Sequence, residues 1–166
     1  MRTTFFGEIK MRHLILTIFV LYVLIAGVFS AVKGYQIYRD TDALIDRAQV
    51  AADREDMLEY IEQLKSNMEK WGLTKGYTAL IFKSSISDMS QHYKTVNRYI
   101  ERLEGIKDVP KSDTTYQVAL NDLRGAIREL PNPAAGWFWV HYGWWLLVIG
   151  IVLLFLVIVV WWDEIY

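Results

Sequence analysis

Two long runs of hydrophobic residues, one near each end of the chain, dominate its pattern of apolar and polar positions. Residues 14–32 form 19 consecutive positions without a formal charge, and residues 134–162 form 29. At about 1.5 Å of helical rise per residue, each run is close to or above the roughly 20 residues that cross a bilayer. The sequence therefore predicts two transmembrane helices, over residues 14–32 and 137–162.

The polar middle of the chain shows helical periodicity and no convincing strand alternation. Apolar residues recur there at alternating spacings of four and three, which places them on one face of a helix. Three such series are Met57, Ile61, Leu64, Met68, Trp71; Phe82, Ile86, Met89, Tyr93, Val96, Ile100, Leu103; and Tyr116, Leu120, Leu123, Ile127, Leu130. A weaker series contains Ile37, Leu44, Ala48 and Ala51, with Thr41 interrupting it. Each series indicates a helix that buries one stripe against its neighbours.

Turn and capping residues divide this middle region into four predicted helices. Gly72 and Gly76 bracket a turn, and residues 105–110 form a loop. Asp53 lies where the phase of the periodicity slips, so it is a candidate N-cap. Pro131 ends the last helix before the second apolar run. The predicted helices are 35–52, 55–71, 76–104 and 113–130.

The number of helices between the two apolar runs decides whether the chain can return to the membrane. Four helices running up-down-up-down bring it back, whereas three would leave it at the far end. The predicted fold class is therefore an all-α membrane protein, with two transmembrane helices flanking an extracytoplasmic antiparallel bundle of four helices. The alternative is one continuous first helix from the membrane to Trp71, with residues 113–130 lying along the membrane surface.

The orientation in a cell membrane follows from the lysines and arginines close to the spans. The segment before the first span is basic, whereas the tail 163–166 contains no base; the basic residues are Arg2, Lys10 and Arg12. We expect residues 1–13 and 163–166 to be cytoplasmic and residues 33–133 to lie outside the cytoplasm. A cleavable signal peptide is the less favoured interpretation of the first run, because its apolar stretch exceeds the usual length of about 7–15 residues.

Composition and motifs argue against several classes of function. The 166 residues include no cysteine, so the chain can form neither a disulfide framework nor a catalytic thiolate. A formal net charge of −1 gives no reason to expect nucleic acid as a partner. The sequence contains no glycine-rich phosphate loop and no recognisable Ser-His-Asp arrangement. We therefore expect a protein that is not an enzyme and that requires no cofactor.

His141 is the residue whose position most suggests a ligand. An ionisable residue within an apolar run is a functional candidate, and a neutral imidazole can bind the metal of a haem or chlorin. The surrounding tryptophans are also typical of a membrane interface, which favours a structural role. The predicted interfacial belt contains Trp137, Trp139, Trp144, Trp145, Trp161 and Trp162. Asp88 and His92 are spaced as two metal ligands on one helix face, which is too few to predict a metal site.

Small residues on both apolar runs allow close approach of another helix. They are Ala26, Gly27, Ser30 and Ala31 on the first run, and Gly143 and Gly150 on the second. The predicted function is a non-catalytic accessory or structural subunit of a larger membrane complex, in contact with other integral membrane subunits and the lipid bilayer. One alternative is a ligand-sensing module that signals through a separate partner, since the layout resembles the input half of chemoreceptors and sensor kinases. A second alternative is a haem- or pigment-binding subunit that uses His141.

Overall fold

The computed structural model describes the backbone of residues 2–79 and 81–162, and the side chains of residues 12–79 and 81–161. The described residues are helical, apart from turns and an isolated bridge between Tyr77 and Asp88. The α-helices are α1 (Arg2–Asp40), α2 (Asp42–Gln49), α3 (Arg54–Lys70), α4 (Met89–Gly105), α5 (Thr114–Arg128), α6 (Pro133–Phe138) and α7 (Trp144–Trp162). A 3-10 turn covers Ser85–Ser87, and a π-helical turn covers Trp139–Gly143.

The chain divides into two compact units. The first, called the apolar helix pair below, consists of Met1–Val32 and Tyr142–Tyr166. The second, called the helical domain, is Lys33–His141. The expectation of an all-helical protein with two long apolar helices is confirmed, because α1 and α7 are both long and apolar enough to cross a membrane. Most of the predicted terminal segments lies outside the described part of the structure. The side chains of residues 1–11 and the whole of residues 163–166 are not described.

Helices α2 to α5 pack as an antiparallel bundle within the helical domain. The Arg54 guanidinium, at the start of α3, donates to the Leu103 carbonyl near the end of α4 at 3.4 Å. The Asp42 carboxylate, at the start of α2, accepts from the Ala134 N–H just beyond the end of α5. Successive helices therefore alternate in direction, in the predicted up-down-up-down order. The alternative of one continuous helix to Trp71 is wrong, because α2 ends at Gln49 and the chain turns before α3.

The core of the bundle is built from the predicted apolar stripes. The stripe of α3 is buried at Met57, Ile61, Leu64 and Met68, and that of α5 at Tyr116, Leu120, Leu123 and Ile127. Burying each such side chain stabilises the domain by about 1.5–3 kcal/mol. Thr41, which interrupts the weaker stripe, is itself fully buried. Its hydroxyl donates to the Ile37 carbonyl at 2.7 Å, so the polar atom does not lack a partner in the core.

Asp53 begins α3 as its predicted N-cap. Its carboxylate accepts a hydrogen bond of 3.1 Å from the Asp56 N–H, which would otherwise lack a partner in the first turn. The Lys111 ammonium lies 2.7 Å from the same carboxylate, and this hydrogen bond is the main cause that lowers the pKa of Asp53. The prediction of a helix break at Asp53 is confirmed.

The predicted helix 35–52 differs from the structure at its start. Helix α1 continues without interruption from the first apolar run to Asp40, and the break comes at Thr41. Residues 33 and 34 contain no helix-stopping signal strong enough to end α1, since a single glycine costs only about 1 kcal/mol within a helix. The bundle therefore uses the last turns of α1, including Ile37, together with the short α2.

The predicted helix 76–104 is wrong in its first half, because α4 begins only at Met89. Residues before it form a loop in which the Thr78 N–H donates to the Ser87 carbonyl at 2.8 Å. Asp88 caps α4 by accepting from the Ser90 N–H at 2.9 Å. Phe82 and Ile86, expected on the buried stripe, are exposed. These local side-chain and backbone hydrogen bonds replace the hydrogen bonds of a helix. The shorter α4 then matches α3 in length, as a bundle requires.

The second apolar run is not a single regular helix over residues 137–162. Short α6 leads into the π-helical turn Trp139–Gly143, and α7 begins at Trp144. Trp137, expected in an interfacial belt, is instead buried in the core of the helical domain. Hydrophobic content did not distinguish a side chain that packs in a domain core from one that lies at a membrane interface, because both environments favour tryptophan.

Candidate functional site

The helical domain has one end, called the connecting end below, at which it joins the two apolar runs through Lys33 and His141. The Lys33 ammonium lies 5.5 Å from the centre of the Trp71 ring. Trp71 meets Trp137 edge to face at 6.1 Å, and Trp137 stacks on His141 at 5.1 Å. Aromatic rings therefore pack between the two connections, and contacts of this kind are each worth about 0.5–1.5 kcal/mol.

Asp40 joins the end of α1 to the end of α3 at the connecting end. Its carboxylate accepts from the Lys70 ammonium at 3.1 Å and from the Trp71 indole N–H at 3.2 Å. Its carbonyl accepts from the Asn67 amide at 2.6 Å. Burial alone would raise the pKa of Asp40, but hydrogen bonds from Lys70, Arg39 and Trp71 outweigh it and lower the pKa. The charged carboxylate thus has a structural use that needs no ligand.

Asp42 is a buried acid with hydrogen bonds of a different kind. Its carboxylate accepts from the Ala134 N–H at 3.0 Å, and the Thr41 hydroxyl, whose one proton is shared with the Ile37 carbonyl, lies 2.9 Å from the same oxygen. Burial, which penalises the charged form, raises the pKa of Asp42 above its ordinary value despite these bonds. The group links α2 to α6, and both of its donors belong to the protein itself. We interpret it as a structural acid of the connecting end.

His141 packs within the helical domain rather than projecting into an open site. Its Nδ1–H donates to the Trp137 carbonyl at 3.0 Å, because a carbonyl can only accept. The other ring nitrogen faces the turn at Gly72, where a Cβ would lie 3.0 Å from Nε2. The metal of a haem or chlorin would need that space. The geometry therefore favours a packing role for His141 over ligation of a cofactor.

A loop of unusual exposure projects from the connecting end. It follows two glycines with positive φ, Gly72 at 69° and Gly76 at 110°, which L side chains rarely adopt. A Cβ at Gly76 would lie 2.8 Å from Val140, so this turn packs directly against the segment before α7. Residues 77–79 and 81–88, the described part of the segment between Gly76 and α4, form the loop proper and are called the 77–88 loop below. Its apolar tip was not predicted from the sequence, where the same residues continue a helical stripe.

A cleft of about 480 Å³ lies between the 77–88 loop and α6. Its lining is mainly apolar and includes Thr78, Ile86, Met89, His92, Asn132 and Trp139. The His92 Nε2–H donates to the Ile86 carbonyl at 2.8 Å, and Asp88 is engaged in capping. The two are therefore not arranged as a pair of metal ligands. Among the described residues, no group of three or more His, Asp or Glu side chains is placed to bind a metal ion.

The apolar helix pair is held together along one narrow stripe. The Tyr22 hydroxyl donates to the Leu146 carbonyl, and Phe29 meets Tyr142 edge to face at 5.7 Å. A Cβ at Gly150 would lie 3.5 Å from the Tyr22 ring, so this glycine contacts α1 of the same chain. By contrast, a Cβ at Gly27 would meet nothing within 4 Å.

The remaining small residues differ in their surroundings. Ala26 borders a recess of about 210 Å³, and its carbonyl accepts from the Ser30 hydroxyl at 2.7 Å. Ala31 is exposed, whereas Gly143 is buried. The sequence grouped these positions by size alone, and the structure separates those that contact the chain itself from those that face outward.

The tryptophans of the expected belt also occupy different environments. Trp145 and Trp161 are exposed, and Trp144 is half-buried. Trp139 lines the cleft described above. The side chain of Trp162 lies outside the described residues. Exposed tryptophans on α7 fit the amphipathic environment of a membrane interface, while Trp139 belongs to the connecting end.

Comparison with known proteins gives no assignment: no protein family, curated protein or solved structure matches the chain. The function must therefore be inferred from the surfaces and contacts described above.

Proposed function

We propose that this protein is a two-pass integral membrane protein that acts as a non-catalytic accessory or structural subunit of a larger membrane complex. Helices α1 and α7 cross the bilayer, the helical domain lies outside the cytoplasm, and both termini are cytoplasmic. The basic residues that precede the first apolar run, Arg2, Lys10 and Arg12, support this orientation.

The exposure of the apolar helix pair is the observation that carries this proposal. Ile25 on α1 is 68% exposed and Phe155 on α7 is 63% exposed, and most of the neighbouring apolar side chains are also exposed. Soluble monomers rarely expose contiguous apolar patches larger than a few hundred Å². Lipid tails, or the helices of other membrane subunits, are the surroundings that suit such a surface.

The outward face of α1 at Gly27 supports a partner subunit in addition to lipid. Ala31 follows Gly27 by one turn, and Gly34 follows by two, which places all three on one side of the helix. Cβ positions at Gly27 and Gly34 meet nothing within 4 Å. A neighbouring helix can therefore approach the backbone closely at Gly27. Gly150 is the weaker candidate for this contact, because Tyr22 already covers it.

The role of the charged groups supports a scaffold rather than an enzyme. Three of the acids whose pKa values are displaced, Asp40, Asp42 and Asp53, have internal hydrogen-bond partners that join or cap helices. An acid that serves as a general base needs instead to reach a substrate. These contacts stabilise a domain whose outer surface can bind another protein.

Ligand sensing is a second candidate, which the cleft of about 480 Å³ favours. Its volume is within the usual range of roughly 300–1,000 Å³ for small-molecule sites. The lining indicates an apolar ligand with one polar group near His92 or Asn132. Binding of such a ligand to the purified protein alone, with a change in how a partner associates, would favour the sensor over the structural subunit.

Extraction from native membranes in a mild detergent tests the subunit proposal. We expect the protein to migrate on a native gel at the mass of a larger assembly, whose members are identified by mass spectrometry. Gly27→Leu should release these partners, because the added side chain occupies the space that a neighbouring helix would use. Val28→Leu adds bulk at the next exposed position and serves as the control. Elution of the wild type alone, as a monomer or homodimer, would overturn the proposal.

A further inference from the structure

We propose that the 77–88 loop inserts its apolar tip into an anionic lipid surface and forms a third, interfacial contact with the membrane. This inference rests on the membrane-spanning part of the proposed function, and it does not depend on the subunit role.

The exposure of the loop tip is the first observation. Ile81, Phe82 and Ile86 are 77%, 86% and 81% exposed, and they lie within six residues of one another. Single exposed apolar residues are ordinary on protein surfaces, but a cluster of large ones marks a binding surface. Outside the 77–88 loop, the exposed large hydrophobic residues of the helical domain are scattered: Tyr35, Tyr38, Val50 and Val118.

The position of the loop is the second observation. At its base, Gly76 packs on Val140 and Gly72 packs on His141. These two partners are the last residues of the helical domain before the second apolar run continues into α7. The loop therefore begins beside the point at which the chain enters the proposed membrane span.

The chemistry of the loop identifies the occupant as an anionic lipid surface. The Lys83 ammonium lies 5.0 Å from the centre of the Tyr77 ring, and Lys75 is exposed nearby in sequence. Basic groups beside aromatic and aliphatic side chains suit a layer with phosphates above and acyl chains below. Asp88, the carboxylate within the loop, is engaged in capping α4 and leaves the tip itself without an acid.

The loop is also held in shape before any lipid is present. The Thr78 N–H donates to the Ser87 carbonyl at 2.8 Å, and His92 donates to the Ile86 carbonyl at 2.8 Å. The Ser87 hydroxyl accepts a hydrogen bond of 2.9 Å from the Ser84 N–H. A loop already ordered by its own hydrogen bonds loses little conformational entropy on binding. It can thus present an apolar tip persistently.

Fluorescence quenching by labelled lipids in reconstituted vesicles tests the inference. The chain contains no cysteine, so single cysteines at Ser85, Ala52 and Ile25 can each carry an environment-sensitive fluorophore. Ser85 is beside the tip, Ala52 is in the turn at the opposite end of the bundle, and Ile25 is in α1. The full-length protein is placed in vesicles of phosphatidylcholine and phosphatidylserine that contain lipids with a nitroxide just below the headgroup.

We expect the labels at Ser85 and Ile25 to be quenched by about twofold or more, and the label at Ala52 to be unaffected. Phe82→Asp should abolish quenching at Ser85, whereas Val50→Asp, the same change at a residue 80% exposed near the far turn, should not. Omitting phosphatidylserine should reduce the quenching at Ser85. Unchanged quenching without phosphatidylserine would overturn the anionic assignment.

The labels separate failure of this inference from failure of the proposed function. Quenching at Ile25 without quenching at Ser85 would overturn the loop contact and leave the membrane span intact. No quenching at Ile25 would overturn the span itself. A label at Ser85 that lipid does not quench, but that native membranes shield from an aqueous quencher, would show that a protein covers the tip and would overturn the lipid proposal.

Discussion

The N–H of Ala134 donates a hydrogen bond of 3.0 Å to the carboxylate of Asp42, a residue 92 positions earlier in the chain. The bond joins the start of α2 to the start of α6 and so closes the bundle at its connecting end. The Thr41 hydroxyl lies 2.9 Å from the same carboxylate oxygen and shares its one proton between that oxygen and the Ile37 carbonyl. Two donors on one buried acid make this contact a sensitive point of the helical domain.

Replacing Asp42 by Ala should lower the free energy of unfolding of the helical domain by about 1–3 kcal/mol, because the Ala134 N–H then lacks its acceptor. Asp42→Asn keeps an oxygen at the same position and should cost much less. Denaturant unfolding of the full chain in mild detergent, followed by near-ultraviolet circular dichroism, measures both changes. Equal losses in the two variants would show that the hydrogen bond to Ala134 is not the cause.

The raised pKa of Asp42 predicts a pH dependence of a definite sign. The folded state holds the carboxyl proton more tightly than the unfolded state, so protonation of Asp42 stabilises the fold. This stabilisation is fully present below the unfolded-state pKa of about 3.9. It is lost as pH rises through the higher folded-state pKa. As the pH rises from the unfolded-state pKa to the folded-state pKa of Asp42, the Tm of the wild type should therefore decrease relative to that of Asp42→Asn. Asp40 and Asp53 are present in both proteins, so their lowered pKa values cancel in the difference.

Gly76 and Gly125 lie in different environments within the helical domain, so replacing each by alanine should have opposite effects on stability. Gly76→Ala should destabilise the domain by about 1–3 kcal/mol, because φ is 110° and the new Cβ meets Val140 at 2.8 Å. Gly125→Ala, in the exposed interior of α5, should stabilise it by roughly 0.5–1 kcal/mol, since a Cβ there meets nothing within 4 Å. Thermal unfolding of both variants checks the signs. Stabilisation by Gly76→Ala would contradict the described turn.

The proposed orientation can be tested by chemical labelling of intact cells. A cysteine at Ser66, an exposed position on α3, should react with an impermeant maleimide. A cysteine at Thr3 should react only after the membrane is opened, because the basic residues before the first apolar run keep it in the cytoplasm. Since the native chain contains no cysteine, each label reports on one site. Labelling of Thr3→Cys in intact cells, with Ser66→Cys protected, would reverse the topology.

Local physical chemistry made much of the helical domain predictable from sequence. The stripe from Met57 to Met68 is buried because a four-three spacing keeps apolar side chains on one helix face wherever the backbone is helical. Asp53 caps α3 because its carboxylate reaches a nearby N–H whatever the rest of the chain does. The two long apolar helices follow equally directly from length and composition. The shared face, the cap and the two apolar helices each follow from residues close together in the chain.

Contacts that the periodicity of apolar residues does not specify decided the remainder. The spacing of Phe82 and Ile86 matches a helical stripe, yet the Thr78–Ser87 hydrogen bond and the Asp88 cap hold these residues in a loop. Which small residues of the apolar helices face outward also depended on the partner helix. Tyr22 covers Gly150, while Gly27 is left open, because the rotation of each helix is set by packing against the other. A sequence pattern specifies which residues share a face, but the direction of that face is a property of the tertiary packing.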